Sequence, residues 1–149
     1  DLRLVSGGAT GVDVIEALGH AISPARACLD RWRRDPASGD LSWAGRTWLG
    51  LPDPGAATAH NARWSPDGQA CVAVQRADTG LAVLHAFDPA DPGTPRTSVP
   101  LPWAPGEPEG GYAAHLTVLS DGELLVSGGL ERPPRAGANQ PLARLRSDG

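Results

Sequence analysis

The sequence predicts an all-β fold made of four-stranded antiparallel units, and two repeated patterns lead to this prediction. The stretch 117–129 has the pattern of a hairpin, because Asp121-Gly122 lies between two apolar runs and supplies the positive φ that a tight turn needs. Asp67-Gly68 lies between similar runs, 54 residues earlier. The five residues 4–8 also recur as 125–129. A period of about 50 residues indicates repeated supersecondary units.

The first unit, about residues 1–55, is predicted to contain one short helix. Four aliphatic residues recur there at spacings of three, three and four: Val12, Ile15, Leu18 and Ile22. These spacings predict a helix near 12–22, with Asp13 and Glu16 near its favourable N-terminal end and Pro24 after it. The strand before it, at 1–8, matches 124–129 and is therefore assigned as the second strand of its unit.

The remaining strands are expected where apolar runs are bounded by turn residues. In the first unit they fall at 25–34, 41–43 and 46–51, the last two being either a short outer pair or one strand with a bulge at Gly45. In the second unit, about 56–105, they fall at 60–65, 69–75, 81–87 and 97–101. The third unit, about 106–149, has candidates at 115–119, 123–127 and 141–146. Because a four-stranded meander cannot bury both of its faces alone, we expect the units to stack face to face.

Several of these motifs resemble the blades of a β-propeller of the WD-repeat or kelch kind. Ser-Pro-Asp-Gly at 65–68 and Ser-Asp-Gly at 120–122 resemble the hairpin between the first two strands of a blade. Phe87-Asp88-Pro89 is similar to the end of its third strand. His60 and His115 stand roughly where WD repeats carry a Gly-His pair, although neither follows a Gly and the sequence has no Trp-Asp dipeptide. The resemblance therefore extends to the superfamily and not to a subfamily.

This resemblance implies a binding or scaffold module that mediates protein–protein interaction or assembly, and it disfavours an enzyme. The three units would form only part of a ring, because propellers close with about four to eight blades. We expect further blades of the same ring, a protein partner or a second copy of this chain to complete it. The loops expected to contact a partner are 9–24, 103–112 and 130–140. The alternative is a propeller enzyme or a small-ligand binder with a site at its channel.

Composition argues against several other functions. The net charge is −4, and the 13 basic residues are all Arg without a basic stripe, so nucleic acid is not an expected partner. No apolar run approaches the roughly 18 residues of a membrane span. We find no signal-peptide pattern, which favours a soluble, cytoplasmic chain, and the absence of Met indicates a chain that was processed or cut from a longer one. Cys28 and Cys71 are expected as small buried residues, with a disulfide only in an exported protein.

Two sets of residues are candidates for ligand binding. His60 and His115 would lie on inner strands, where they bind a ligand or, more simply, hydrogen-bond an Asp or Ser to fix the blades. No third residue has matching spacing, so no metal is expected. The second set surrounds a Gly-rich turn that is similar to the phosphate-binding turn of Rossmann-like nucleotide binders: Ser6, Gly7, Gly8 and Gly11. No later strand–helix alternation supports that fold, so nucleotide binding is an alternative only.

No catalytic residue and no cofactor are predicted. Four aspartates occupy turns, where Asp caps its own backbone: Asp35, Asp67, Asp88 and Asp121. Ser6 and Ser127 lack the Gly-x-Ser-x-Gly frame of a hydrolase nucleophile. Four arginines surround Trp32 and form either a solvated strand face or a surface that stacks on a partner: Arg26, Arg31, Arg33 and Arg34.

Overall fold

The structure is a computed structural model that describes residues 1–5, 13–21, 24–76, 79, 82–100, 111–118, 123–130 and 142–145. Side chains are described for Glu123 and for the residues of these ranges up to 100, apart from His60. The regular structure in these ranges consists of β-strands and one 3-10 helix at Pro54–Ala56. The all-β class predicted from the sequence is confirmed. Among the described residues, none form a helix with the length and hydropathy that a membrane crossing requires.

The strands form three antiparallel sheets. The first has the order β1-β2-β3-β4, with β1 at Leu2–Val5, β2 at Asp13–Ala21, β3 at Arg26–Arg34 and β4 at Leu41–Trp48. The second has the order β5-β6-β7-β8, with β5 at Ala57–Trp64, β6 at Ala70–Arg76, β7 at Ala82–Phe87 and β8 at Thr97–Pro100. The third has the order β11-β10-β9, with β9 at Gly111–Val118, β10 at Leu124–Leu130 and β11 at Leu142–Leu145.

The predicted helix near 12–22 is wrong, because residues 13–21 form β2. This strand pairs with both β1 and β3, so its backbone hydrogen bonds run between strands and not within one turn. Its side chains alternate between the two faces of the sheet. Glu16 and Leu18 are buried on one face, and Ile15 lies on the other. Strand pairing therefore overrides the helical spacing of Ile15 and Leu18.

The place assigned to the opening strand is also wrong. β1 is the first strand, at the edge of a complete four-stranded sheet, whereas β10 is the middle strand of its sheet. The five residues Leu-Val-Ser-Gly-Gly occur at 4–8 and at 125–129, and the Leu-Val of each copy lies in a strand. They do not determine how many neighbours the strand has, because that depends on where β2 pairs.

The two Asp-Gly hairpins have the same register. Trp64 pairs with Ala70 across β5 and β6, and Val118 pairs with Leu124 across β9 and β10. Each residue of the second pair lies 54 positions after its counterpart in the first, which is the separation of Asp67 and Asp121 in the sequence. The repeat seen in the sequence is therefore a repeat of strand pairing.

The turn between β5 and β6 has the geometry predicted for an Asp-Gly pair. Gly68 has a φ of 84°, in the left-handed region that glycine adopts at low cost. Ser65 Oγ accepts a hydrogen bond from Gln69 N at 2.9 Å and donates one to Asp67 Oδ1 at 2.5 Å. Gln69 Nε2 donates to Asp67 Oδ2 at 2.6 Å. Asp67 thus fixes its own turn, whereas Asp121 lies outside the described residues.

The core lies between the first and second sheets. Its largest contributions come from alternate residues of facing strands, among them Leu18, Ala27, Leu29, Ala59, Ala62, Trp64, Val72, Val74 and Phe87. We call the side of the first sheet that faces this core its inner face, formed by Arg3, Val5, Glu16, Leu18, Ala27, Leu29 and Arg31. The opposite face of the second sheet is also buried, at Cys71, Ala73, Leu84 and Ala86, and β9 lies along β5 and β6.

A buried carboxylate stands in the middle of the inner face. Glu16 accepts hydrogen bonds from Arg3 Nε and Nη2 at 2.8 and 2.6 Å, and from Arg31 Nε at 2.7 Å. Burial alone would raise the pKa of Glu16, but the hydrogen bonds and charges of Arg31 and Arg3 bring it below its ordinary value. Glu16 is therefore ionised between its two arginines.

The same two arginines connect the first sheet to the second. Arg3 Nη1 donates to the Gly68 carbonyl oxygen at 2.6 Å, and its guanidinium carbon lies 3.7 Å from the centroid of the Trp64 ring. Arg31 Nη2 donates to the Pro89 carbonyl oxygen at 3.1 Å. The ion pairs around Glu16 thus hold both guanidinium groups in position to bind turns of the neighbouring sheet.

A close backbone contact joins the segment after β4 to the turn before β8. Gly50 N donates to the Pro92 carbonyl oxygen at 2.9 Å. A Cβ atom at position 50 would lie 1.9 Å from the carbonyl oxygen of Gly93, a distance that no side chain tolerates. Only glycine fits at this position while the two segments remain in contact.

Replacing Glu16 by Gln is expected to lower the free energy of unfolding by about 2 kcal/mol, because the neutral amide leaves two guanidinium groups without their carboxylate. This decrease in unfolding free energy is smaller than the decrease expected for a fully buried ion pair, because the side chains of Arg3 and Arg31 are 25% and 31% exposed. Urea denaturation measures the change. Asp40→Asn, at an exposed turn residue, is the control and should stay within about 0.5 kcal/mol. Equal losses in the two variants would contradict the role of Glu16.

The stabilisation by Glu16 is expected to depend on pH. Because its pKa is lower in the folded protein than in the unfolded chain, the contribution is complete above the unfolded value and is lost as the pH falls through the folded value. The difference in unfolding free energy between the parent protein and Glu16→Gln should be constant near about pH 7 and shrink below about pH 4. Urea denaturation across this pH series tests it, and a difference that grows in acid would contradict it.

Gly50→Ala is expected to lower the free energy of unfolding by about 3 kcal/mol or more, because the new Cβ forces the Gly93 backbone away. Gly55→Ala is a matched control, since a Cβ there meets nothing within 4 Å. Thermal unfolding monitored by circular dichroism compares the two. If both variants unfold at the same temperature, the contact between these segments does not support the fold.

Candidate functional site

The first sheet has a second face, which points away from the second sheet. We call it the outer face. Residues at alternate positions of its four strands form it: Leu2, Leu4, Asp13, Ile15, Ala17, Arg26, Cys28, Asp30, Trp32, Arg34, Leu41, Trp43, Arg46 and Trp48. Aliphatic residues lie along β1 and β2, and Trp and Arg residues lie along β3 and β4.

Large apolar side chains are concentrated on the outer face and exposed there. Leu2 and Leu4 retain 69% and 63% of their exposure, and Leu41, Trp43 and Trp48 retain 56%, 55% and 51%. Burying one such leucine completely would add about 1.5–3 kcal/mol to the free energy of unfolding. The first sheet does not gain this stabilisation while the leucines remain exposed. A contiguous exposed apolar face of this kind marks an interaction site in soluble proteins.

Tryptophan and arginine side chains alternate in a row on this face. The guanidinium carbon of Arg46 lies 5.5 Å from the centroid of the Trp48 ring and 5.9 Å from that of Trp43, and that of Arg26 lies 5.8 Å from Trp48. The rings of Trp43 and Trp32 meet edge to face, with centroids 5.3 Å apart. These contacts hold flat, rigid side chains at the surface, and Trp and Arg are the residues that most often dominate binding energy at protein interfaces.

Most charges on the outer face are paired within it. Arg46 donates from Nε and Nη2 to the two carboxylate oxygens of Asp30 at 2.5 and 2.7 Å. This bidentate contact lowers the pKa of Asp30, which therefore stays ionised. Arg34 Nη1 lies 3.7 Å from Asp13 Oδ2. Arg26 differs, because no acidic group among the described residues forms an ion pair with it.

Strand alternation divides the arginine cluster that the sequence predicted. Arg26 and Arg34 lie on the outer face with Trp32, whereas Arg31 and Arg33 lie on the inner side. Arg31 is occupied by Glu16. The four arginines therefore act as two pairs on opposite sides, and only the outer pair shares a surface with tryptophan.

The histidines predicted as ligand-binding candidates lie on the first strands of the second and third sheets. His60 is in β5 and His115 in β9, but their positions are not equivalent. His60 falls at a register shift between Ala59 and Asn61, whereas His115 pairs with Ser127. Their side chains are outside the described residues, so a ligand role for this pair stays a prediction.

A third histidine, His85, makes a hydrogen bond to a serine, which is the structural contact expected for His60 and His115. His85 is buried on β7, and its Nδ1 lies 2.8 Å from Ser98 Oγ on β8. Burial lowers the pKa of His85, which favours the neutral ring. Sequence analysis missed this pair because Ser98 is its partner only through the register of β7 with β8.

Most of the other predicted site residues lie outside the described part of the chain, and part of one predicted contact loop forms a strand. Ser6, Gly7, Gly8 and Gly11 lie outside the described residues, so nucleotide binding there stays untested. The contact loop expected at 9–24 is wrong for residues 13–21, which form β2. The loops expected at 103–112 and 130–140 lie outside the described residues, apart from positions 111, 112 and 130 at the ends of strands.

Two of the turn aspartates cap their own backbone as predicted. Asp35 Oδ1 accepts hydrogen bonds from Ala37 N and Ser38 N at 2.7 and 3.0 Å. Asp88 Oδ1 accepts one from Ala90 N at 2.8 Å. These carboxylates are occupied by their turns, as Asp67 is by Ser65 and Gln69.

Cysteine and metal chemistry have no site among the described residues. Cys28 and Cys71 are free and buried, which confirms the sequence interpretation, and burial raises the pKa of Cys71 to about 12. The described ranges hold no group of three or more His, Cys, Asp or Glu side chains arranged to bind a metal ion.

The chain matches no protein-family model, no curated protein and no solved structure.

Proposed function

We propose that this chain is a propeller-type β-sheet module whose function is protein–protein binding and assembly through the outer face of its first sheet. The observation that carries the proposal is the location of the exposed large apolar residues. Of the exposed large apolar residues in the described part of the chain, all except Val5 lie on the outer face of the first sheet. A solvated sheet face is ordinarily polar, so this composition favours a face that becomes covered.

The repeat supports a β-sheet as the occupant. The strands β1–β4 follow the same order as β5–β8, and neighbouring strands are antiparallel in both sheets. Leu4 lies on the outer face and pairs with Ile15, which pairs with Trp32, the third residue from the end of β3. In the second sheet, Ala62 pairs with Val72, which pairs with His85, the third residue from the end of β7, so Ala62 is the counterpart of Leu4. Ala62 and Val72 are buried in the core against the first sheet. By the same arrangement, a further sheet would cover Leu4 and Ile15.

A second copy of this chain supplies such a sheet. Its third sheet lies along the second through β9, which makes it the counterpart of the first sheet at the other side of the stack. In a head-to-tail pair, the third sheet of one copy would cover the outer face of the other. Heterologous contacts of this type close into rings when the rotation permits it, which is the assembly expected for an incomplete propeller.

Self-association through the outer face is the expected result in solution. Sedimentation velocity at a series of protein concentrations should give a mass greater than one chain. A double variant with Leu4→Gln and Trp43→Gln should sediment as a single chain, because it removes two exposed apolar contacts. Leu4→Gln should alter the free energy of unfolding by no more than about 0.5 kcal/mol, because Leu4 is exposed. Trp43→Gln also loses the edge-to-face contact with Trp32, which contributes about 0.5–1.5 kcal/mol, so circular dichroism checks that the double variant is folded.

The matched control is Val5→Thr, which changes an exposed apolar residue on the inner face and preserves its shape. It should leave the mass distribution of the parent protein unchanged. A parent protein that is folded and sediments as one chain at every concentration would contradict the proposal. So would an equal loss of association in Val5→Thr and in the outer-face variant.

A further inference from the structure

A cavity of about 300 Å³ lies at the edge of the outer face. Its walls come from the start of β3, the end of β4 and the segment that leads to the 3-10 helix. The residues that line it are Ala25, Arg26, Trp48, Leu49, Gly50, Leu51 and Pro54. Most of these side chains are apolar, and Arg26 carries the one formal charge of the lining.

The cavity is held open by backbone contacts. Ala25 N donates to the Pro54 carbonyl oxygen at 3.1 Å, and Leu49 N donates to that of Ala27 at 2.9 Å. Ala25, Leu49 and Leu51 are buried and belong to the core. The floor is therefore part of the folded framework, as in sites that are formed before their ligand binds.

Arg26 gives the cavity its polarity. Its guanidinium group lies over the Trp48 ring, and the two other arginines of the outer face are paired with Asp30 and Asp13. Among the described residues, Arg26 has no such carboxylate. Its fork of N–H donors is therefore free to bind an anion, and that geometry matches a carboxylate in a bidentate contact.

We propose that this cavity binds a small carboxylate with an apolar body. The apolar part occupies the space between Trp48 and the buried floor, and the carboxylate accepts hydrogen bonds from Arg26. A group of the size of a water molecule occupies about 30 Å³, so a cavity of about 300 Å³ holds roughly ten non-hydrogen atoms. All the residues that line the cavity belong to one chain, so its formation does not require the assembly proposed above, although Arg26 and Trp48 lie on the face that the assembly would cover.

Phenylacetate is a suitable probe, because it joins an aromatic ring to a carboxylate within this size. Binding is measured by amide chemical-shift changes on titration of the folded protein. Phenylacetamide has the same shape without the charge and should bind about tenfold more weakly, because it loses a charged hydrogen bond. The largest shifts should occur at Ala25, Arg26 and at 48–51.

Arg26→Gln should weaken phenylacetate binding about tenfold and leave phenylacetamide binding nearly unchanged. Arg33→Gln, on the inner side of the same strand, is the matched control and should bind as the parent protein does. Arg26→Glu reverses the charge, so it should lose phenylacetate and prefer phenethylamine. This exchange of preference separates a charge effect from loss of folding, which circular dichroism monitors in each variant.

The titrations are also performed on the double variant with Leu4→Gln and Trp43→Gln, which retains every residue of the cavity. Binding in that variant that is at least as tight as in the parent protein supports a site that forms within one chain, and loss of binding there contradicts it. The proposal is overturned if phenylacetate and phenylacetamide bind equally, if Arg26→Gln binds phenylacetate as well as the parent does, or if the shifts fall away from the cavity.

Discussion

The stacking of the first two sheets depends on the ionised carboxylate of Glu16. Removing a carboxylate from water costs several kcal/mol, and here three hydrogen bonds from Arg3 and Arg31 offset that cost. The same guanidinium groups reach carbonyl oxygens of Gly68 and Pro89 in two turns of the second sheet. Apolar contacts between the sheets have no preferred direction, whereas these hydrogen bonds do. They therefore define how one sheet sits on the next.

This polar contact has a consequence for the opposite side of the sheet. Because strand side chains alternate, Arg3 can face the core only if Leu2 and Leu4 face away from it. β1 thus reverses the usual pattern of a half-exposed strand, with its charged residue inside and its leucines in solvent. Ile15 and Trp32 continue the same row across β2 and β3. The exposed apolar face follows directly from the ion pairs that join the sheets.

The hairpins and their repeat could be predicted from the sequence because their signals are local. Asp67-Gly68 specifies its own turn, and the 54-residue separation from Asp121 preserves the strand register. Residues 13–21 could not be assigned, because Ile15 and Leu18 fit a helical spacing as well as opposite faces of a strand. The role of Glu16 was also hidden, since its partners lie 13 and 15 residues away on neighbouring strands.

Charge pairing divides the outer face into two surfaces with different chemistry. At its centre, the pair of Arg46 and Asp30 leaves no net charge beside Trp43, so the proposed partner would meet an apolar surface there. At its edge, Arg26 has no carboxylate partner among the described residues and lies beside a buried apolar floor, which is the chemistry that the proposed carboxylate ligand requires. An aspartate opposite on the neighbouring strand distinguishes Arg46 from Arg26. Asp30 pairs with Arg46 in the register of β3 and β4, whereas Arg26 pairs with Ala21 on β2.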